Sequence, residues 1–318
     1  MSSILTNNSA MVALSTLNDV NRGLNETQNR VSSGLKVSSG KDNAAYFQIS
    51  ESMKGDSAAF GSINEGLSLT KSSIATARLG AETIQDLSQQ FMEKVAFAQG
   101  ATGGQAEIES DLLELVKQME STLSQSTFSG DDMLGAGSYS AAVTASTGVT
   151  AGSVAGATGI LTASSNNDAT VGASRDVVTG ISRAGGSYAT TDVTVKTHDM
   201  AILVSDFKAL ATGFAAAAET VATGEAFLAG ALASTEGVVD KVTDIATKLG
   251  QSEKTIENQQ TFLSSLTDTL DTGVSSMVDA DMEEEAARLQ AYQVQQQLAT
   301  QSLSIANQQP QNILSLFQ

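Results

Sequence analysis

Five carboxylates crowd one short stretch: Asp279, Asp281, Glu283, Glu284 and Glu285. Clustered carboxylate oxygens are what hard cations require, but the run lacks the central glycine and fixed ligand spacing of a calcium loop. A charged helix start is the better reading. His198 is the only histidine. A zinc hydrolase needs several nitrogen or sulfur ligands, and no motif around His198 supports Ser-His-Asp chemistry. Cysteine is absent, which removes disulfides, thiolate metal sites and cysteine nucleophiles together. Gly100, Gly103 and Gly104 are not followed by the Lys-Ser/Thr of a phosphate loop, so they read as a helix break. The chain nominates no catalytic, cofactor-binding or metal-binding residue, and no cofactor.

The elements that would carry these residues point elsewhere. Aromatic residues make up 4% of the 318 and tryptophan is absent, so packing falls to Leu, Ile, Val and Ala along helix-on-helix seams. Proline occurs once, which permits very long helices. The net charge of −18 disfavours nucleic acid and anionic membranes, because neutralising phosphates needs clustered Lys and Arg. No run of eighteen apolar residues could span a bilayer. The opening residues lack a charged start and long apolar run, so export through a secretory signal peptide is not expected.

From Val278 the pattern predicts one helix with two apolar faces. Met282, Ala286, Leu289, Tyr292, Gln296, Ala299, Leu303 and Ala306 form one stripe; Val294, Leu298 and Ile305 fall on roughly the opposite side. Asp281 is placed to cap the start, with Glu284 three residues on in a capping-box arrangement. Pro310 is expected to stop the helix. A helix apolar on two faces must be surrounded.

The rest of the chain supplies candidates to surround it. Residues 1–41 predict an amphipathic helix through Ala10, Met11, Leu14, Leu17, Val20, Leu24, Val31 and Leu35. Its basic bias complements Asp279–Glu285. Residues 44–99 hold three-and-four spacing over many turns, which implies a coiled-coil-like seam ended by Gly100–Gly104. Glu107–Thr127 resumes helix through Ile108, Leu112, Leu115, Met119 and Leu123. Ser, Thr, Gly and Ala dominate 136–196, where alternation such as Asp192-Val-Thr-Val-Lys suggests hairpins. Met200–Leu232 reads as a helix, and 236–277 returns to seam spacing. The expected fold is mainly α. It has long antiparallel helices, a coiled-coil-like terminal pair (1–42 with 275–318), an inner helical bundle (43–135 with 233–274) and a small α+β outer insert (136–232).

Two long stretches then carry a resemblance. Gln28-Asn-Arg-Val-Ser-Ser-Gly-Leu-Lys-Val-Ser-Ser-Gly-Lys-Asp-Asn-Ala-Ala-Tyr-Phe-Gln-Ile-Ser50 resembles the N-terminal signature of bacterial flagellins. Asp279-Ala-Asp-Met-Glu-Glu-Glu-Ala286 and Ala306-Asn-Gln-Gln-Pro-Gln-Asn-Ile-Leu-Ser-Leu-Phe-Gln318 resemble the C-terminal one. The resemblance covers roughly 1–135 and 236–318. It implies a non-enzymatic structural subunit that polymerises into the extracellular flagellar filament for motility. Implied partners are further copies of the same or related chains, an export chaperone, a capping protein and hook-associated proteins. It also implies flagellar type III export. The Ser/Thr density of 138–197 has two readings, a soluble, weakly structured outer face and O-linked glycosylation. Competing readings are a hook–filament junction protein of the same family and a secreted enzyme with its site in 136–232. The expected assembly residues are Leu14, Leu17, Leu24, Leu289, Leu298, Leu303 and Ile305. The terminal helices are expected to order on assembly, as coupled folding and binding requires.

Overall fold

The computed structural model describes residues 7–101, 103–135, 153–154, 158–162, 174–182, 189–220 and 222–316. Most of the low-complexity stretch Ser138–Gly159 lies outside them. In chain order the elements are α1 (Asn8–Ser33), α2 (Ala44–Gly100), α3 (Gln105–Gln125), β1 (Ser153–Val154) and β2 (Leu161–Thr162). Then come β3 (Ser174–Ser182), β4 (Ala189–Lys196), α4 (Met200–Ala211), α5 (Phe214–Ala218), α6 (Gly224–Val278) and α7 (Met282–Leu316). The fold is mainly α, as expected. Two compact units emerge, residues 1–59 with 266–318 and residues 60–265.

In the 60–265 unit the three-and-four spacing becomes a seam. Ile74, Ala77, Ala81, Ile84, Phe91, Val95 and Ala98 of α2 are buried, as are Val242, Ile245, Leu249, Ile256 and Leu263 of α6. The two helices run antiparallel here. Asn64 meets Ser264 at 3.3 Å, Arg78 meets Glu253 at 2.7 Å and Gln85 meets Thr243 at 3.2 Å. On α3 the buried set is Ile108, Leu112, Val116, Met119 and Leu123. Val116 therefore takes the place expected of Leu115, which is half-buried. A strict four-residue step from Leu112 keeps the β-branched residue on the seam.

The expected single helix over Met200–Leu232 is three pieces. Gly213 adopts φ +75, a left-handed conformation that ends α4's run and starts the five-residue α5. Glu109 of α3 accepts from the Gly213 and Ala215 N–H groups at 3.1 and 2.8 Å, satisfying donors that a helix start leaves open. Residues from Gly224 onward belong to α6. The Phe207 ring of α4 lies 5.0 Å from that of Phe91 at a tilt of 59°, and Phe214 lies 5.5 Å from Phe227. These aromatic pairs anchor the broken segment to the helical seam.

Strands β3 and β4 pair antiparallel, with a register shift between Val178 and Gly180, and β1 pairs with β2. Asp131 ties the longer hairpin down by accepting from the Ser73 hydroxyl at 2.5 Å and from the Arg175 guanidinium. Burial alone would raise the Asp131 carboxyl; the Ser73 and Arg175 hydrogen bonds and the Arg175 charge outweigh it and hold the group below its ordinary 3.8. A depressed folded-state value stabilises above the unfolded pKa and fades as pH falls through the folded one. Unfolding of this unit should therefore lose stability below about pH 4, and Asp131→Asn should flatten that acid limb in urea titrations run at successive pH values.

Candidate assembly surface on the terminal helix pair

In the other unit α1 packs against α7. The helices run antiparallel, since Asn7 bonds to Ala306 at 2.8 Å, Asn21 to Gln296 at 2.7 Å and Arg30 to Glu285 at 3.3 Å. Leu289, Tyr292, Gln296, Ala299, Leu303 and Ala306 are half-buried or buried, as the first stripe requires. Their close approach is made possible by Gly23. A Cβ there would sit 2.6 Å from the Tyr292 ring, so a larger residue at position 23 would force that ring to move from its present place against α1.

Asp281 caps α7 as expected, with its Oδ1 accepting from the Glu283 and Glu284 N–H groups at 3.0 and 3.2 Å. The return half of the capping box is not made. The Glu284 carboxylate instead accepts from Arg288 at 2.6 Å, one helical turn on. Met282 and Ala286, expected on the inward stripe, are exposed. Glu285 takes the inward position and is 5% exposed. The acidic run is thus divided between a cap, a surface pair and a buried ion pair rather than converging on one point.

Glu285 is the costly member of that set. Its Oε1 accepts from Arg30 and lies 3.7 Å from Arg288, while its Oε2 has no hydrogen-bond partner. Removing one partner of a buried carboxylate leaves an uncompensated acceptor, a loss of roughly 1–3 kcal/mol. Arg30→Met should lower the urea concentration at which the terminal pair melts, and adding Glu285→Leu should recover most of the loss. If the double variant melts earlier than Arg30→Met alone, the ion pair is not the cause.

Pro310 does not stop the helix. α7 continues through it to Leu316. Between α6 and α7, Lys36 and Val37 donate to the Val278 carbonyl at 2.7 and 3.2 Å, and Ala280 donates to Gly34 at 2.9 Å. Val37, Val274 and Val278 form a small core there with Leu35, Phe47, Met53 and Met277 around it.

The seven expected assembly residues separate into two sets. Leu17, Leu24, Leu289 and Leu303 are half-buried. Leu14, Leu298 and Ile305 are exposed, the latter two by 61% and 57%, and Val294 joins them at 55%. At 100° per residue, Val294, Leu298 and Ile305 fall within about 40° of one another and roughly 150° from the packed stripe. They make one narrow apolar line on the free side of α7. On α1, Met11 and Val12 are also exposed, although Met11 was expected on the packed stripe with Leu14. The sequence signal was ambiguous there, because Met11, Val12 and Leu14 can serve either side of a helix whose inward face is already filled by Val20 and Thr27.

Residues 4–138 match the family described as the bacterial flagellin N-terminal helical region, and residues 232–317 match its C-terminal helical region. A flagellin of Brucella melitensis biotype 1 is 34% identical over 318 residues, covering all of this chain and 99% of that one. Flagellin C of Rhizobium meliloti strain 1021 is 34% identical over 326 residues, covering both chains completely. The chain belongs to the bacterial flagellin family. Flagellin A of Rhizobium meliloti aligns end to end over 394 positions at 32% identity, so at least 76 positions (394 − 318) have no counterpart here. The flagellin matches take in α1, α2, α3, α7 and all but the first turns of α6. They leave 139–231 unmatched, which contains the described strands and the broken helical segment.

Proposed function

We infer that this chain acts mechanically, as the structural subunit that polymerises into a bacterial flagellar filament outside the cell. One observation carries the reading. The terminal helix α7 satisfies one apolar face against α1 and still presents Val294, Leu298 and Ile305 to solvent in a narrow line. Apolar side chains stacked in register on one helix mark a surface for another protein, whereas isolated ones do not. Neighbouring copies of the chain are the natural cover. Leu14, Leu298 and Ile305 make contacts between subunits in this proposal, while Leu17, Leu24, Leu289 and Leu303 hold the pair that presents them.

By the same proposal, residues 1–42 with 275–318 build the filament core, 43–135 with 233–274 the helical layer beyond it, and 136–232 the outer surface. An export chaperone, a capping protein and hook-associated proteins complete the partners, with type III export as the route. Electron microscopy of purified chain added to seed filaments tests this. Elongation is expected, with amide exchange slowing across residues 282–306 as the filament grows. A chain that stays soluble beside competent seeds overturns the proposal.

A further inference from the structure

Asn7 uses both ends of its side-chain amide. Its Oδ1 accepts from the Ala10 N–H at 3.1 Å and caps α1, while its Nδ2 donates to the Ala306 carbonyl of α7 at 2.8 Å. In an α-helix the carbonyl of residue 306 accepts from the N–H of residue 310. Residue 310 is proline, which has no N–H to give. α7 nevertheless runs on to Leu316, so the carbonyl left open by Pro310 lies inside a continuous helix and is filled from the other helix of the pair.

From this juxtaposition we infer that Asn7 is a positioning residue, and that Asn7 with Pro310 forms a clasp fixing the register of α1 against α7. The proline creates an acceptor at one place on α7, and the asparagine at the head of α1 is the donor that finds it. Ser, Thr or Asp at position 7 would still cap α1, because capping needs only the oxygen. None carries the amide donor that reaches Ala306. The clasp lies in the same stretch as Ile305 and about two turns beyond Leu298, so register set there also sets where the exposed apolar line of α7 lies beside Met11 and Leu14. The consequence for assembly rests on the polymerisation reading above; the clasp itself does not.

Four full-length chains test it: the parent, Asn7→Ser, Pro310→Ala, and both changes together. Asn7→Ser keeps the cap and deletes the amide donor, which the shorter hydroxyl does not replace at Ala306. Pro310→Ala returns a backbone N–H to Ala306 and makes the amide donor redundant. In seeded elongation, Asn7→Ser should raise the critical concentration roughly fivefold to tenfold when Pro310 is present, the weight of one hydrogen bond. In the Pro310→Ala background the same change should cost less than about twofold. Amide exchange read on the same four chains as monomers gives a second measure independent of polymerisation. Asn7→Ser should speed exchange across residues 300–309 only where residue 310 is proline. Equal damage in both backgrounds, by elongation and by exchange, overturns the clasp. Should the parent fail to elongate seeds, the filament reading falls, and exchange alone still decides the clasp.

Discussion

Leu298→Glu should abolish elongation of seed filaments while leaving the helical seam of residues 60–265 unfolding as in the parent. Leu298 is 61% exposed, so a carboxylate there meets water and costs the free chain little. In the proposed filament the same carboxylate would be desolvated, and Arg288, the only basic residue of α7, is already engaged by Glu284 and Glu285. Stranding a charge in that way costs several kcal/mol, which weakens subunit addition by at least about a hundredfold. Leu298→Ala provides the graded control, since it removes apolar area without adding charge and should weaken addition by a smaller factor. Normal filaments from Leu298→Glu would show that the exposed line is not buried between subunits.

Phe91→Ala should have the opposite profile. Phe91 is fully buried on α2 and packs at a tilt against Phe207 of α4. Truncating a buried phenylalanine costs about 3–5 kcal/mol, from lost transfer energy and the cavity left behind. For a unit of this size that is a fall of roughly 6–20 °C in melting temperature, read by calorimetry. Leu79, on the same helix but 64% exposed, sets the baseline, and Leu79→Ala should shift stability by less than about 0.5 kcal/mol. The α1–α7 hydrogen bonds do not involve α4, so the loss should appear in the 60–265 unit. A Phe91→Ala chain that melts like Leu79→Ala would mean the seam can close over the missing ring.

The long helices were legible because apolar residues recur every three or four positions over many turns, a signal that no short-range preference competes with. The same reasoning located the two faces of α7 and the exposed line upon it. It went astray where one residue overrides the average. Gly213 breaks what composition reads as continuous helix, because its left-handed backbone state is invisible to hydrophobic periodicity. Pro310 was read for what it lacks locally, and the donor that compensates sits 303 residues upstream at Asn7 (310 − 7). Glu284 was paired with the Asp281 backbone by motif, but an arginine one turn away is the stronger partner. Glu285, placed among solvated charges by its neighbours, is buried by its position on the helix. The Pro310 and Glu285 misses concern polar groups whose partners lie on another helix, which apolar spacing does not encode.

Gly23 and the Tyr292 ring lying on it have a consequence for filaments built from more than one kind of chain. In the proposed filament, contacts between α1 and α7 would be private to each molecule, so relatives that differ there should enter the same polymer, provided each keeps its own helices matched. The line of Val294, Leu298 and Ile305 would be public in that proposal. Every chain in a mixed filament would have to present it in compatible form, whatever its internal packing. A related chain altered at the glycine and the ring together should still be accepted as a co-monomer, and one altered only at the line should be refused.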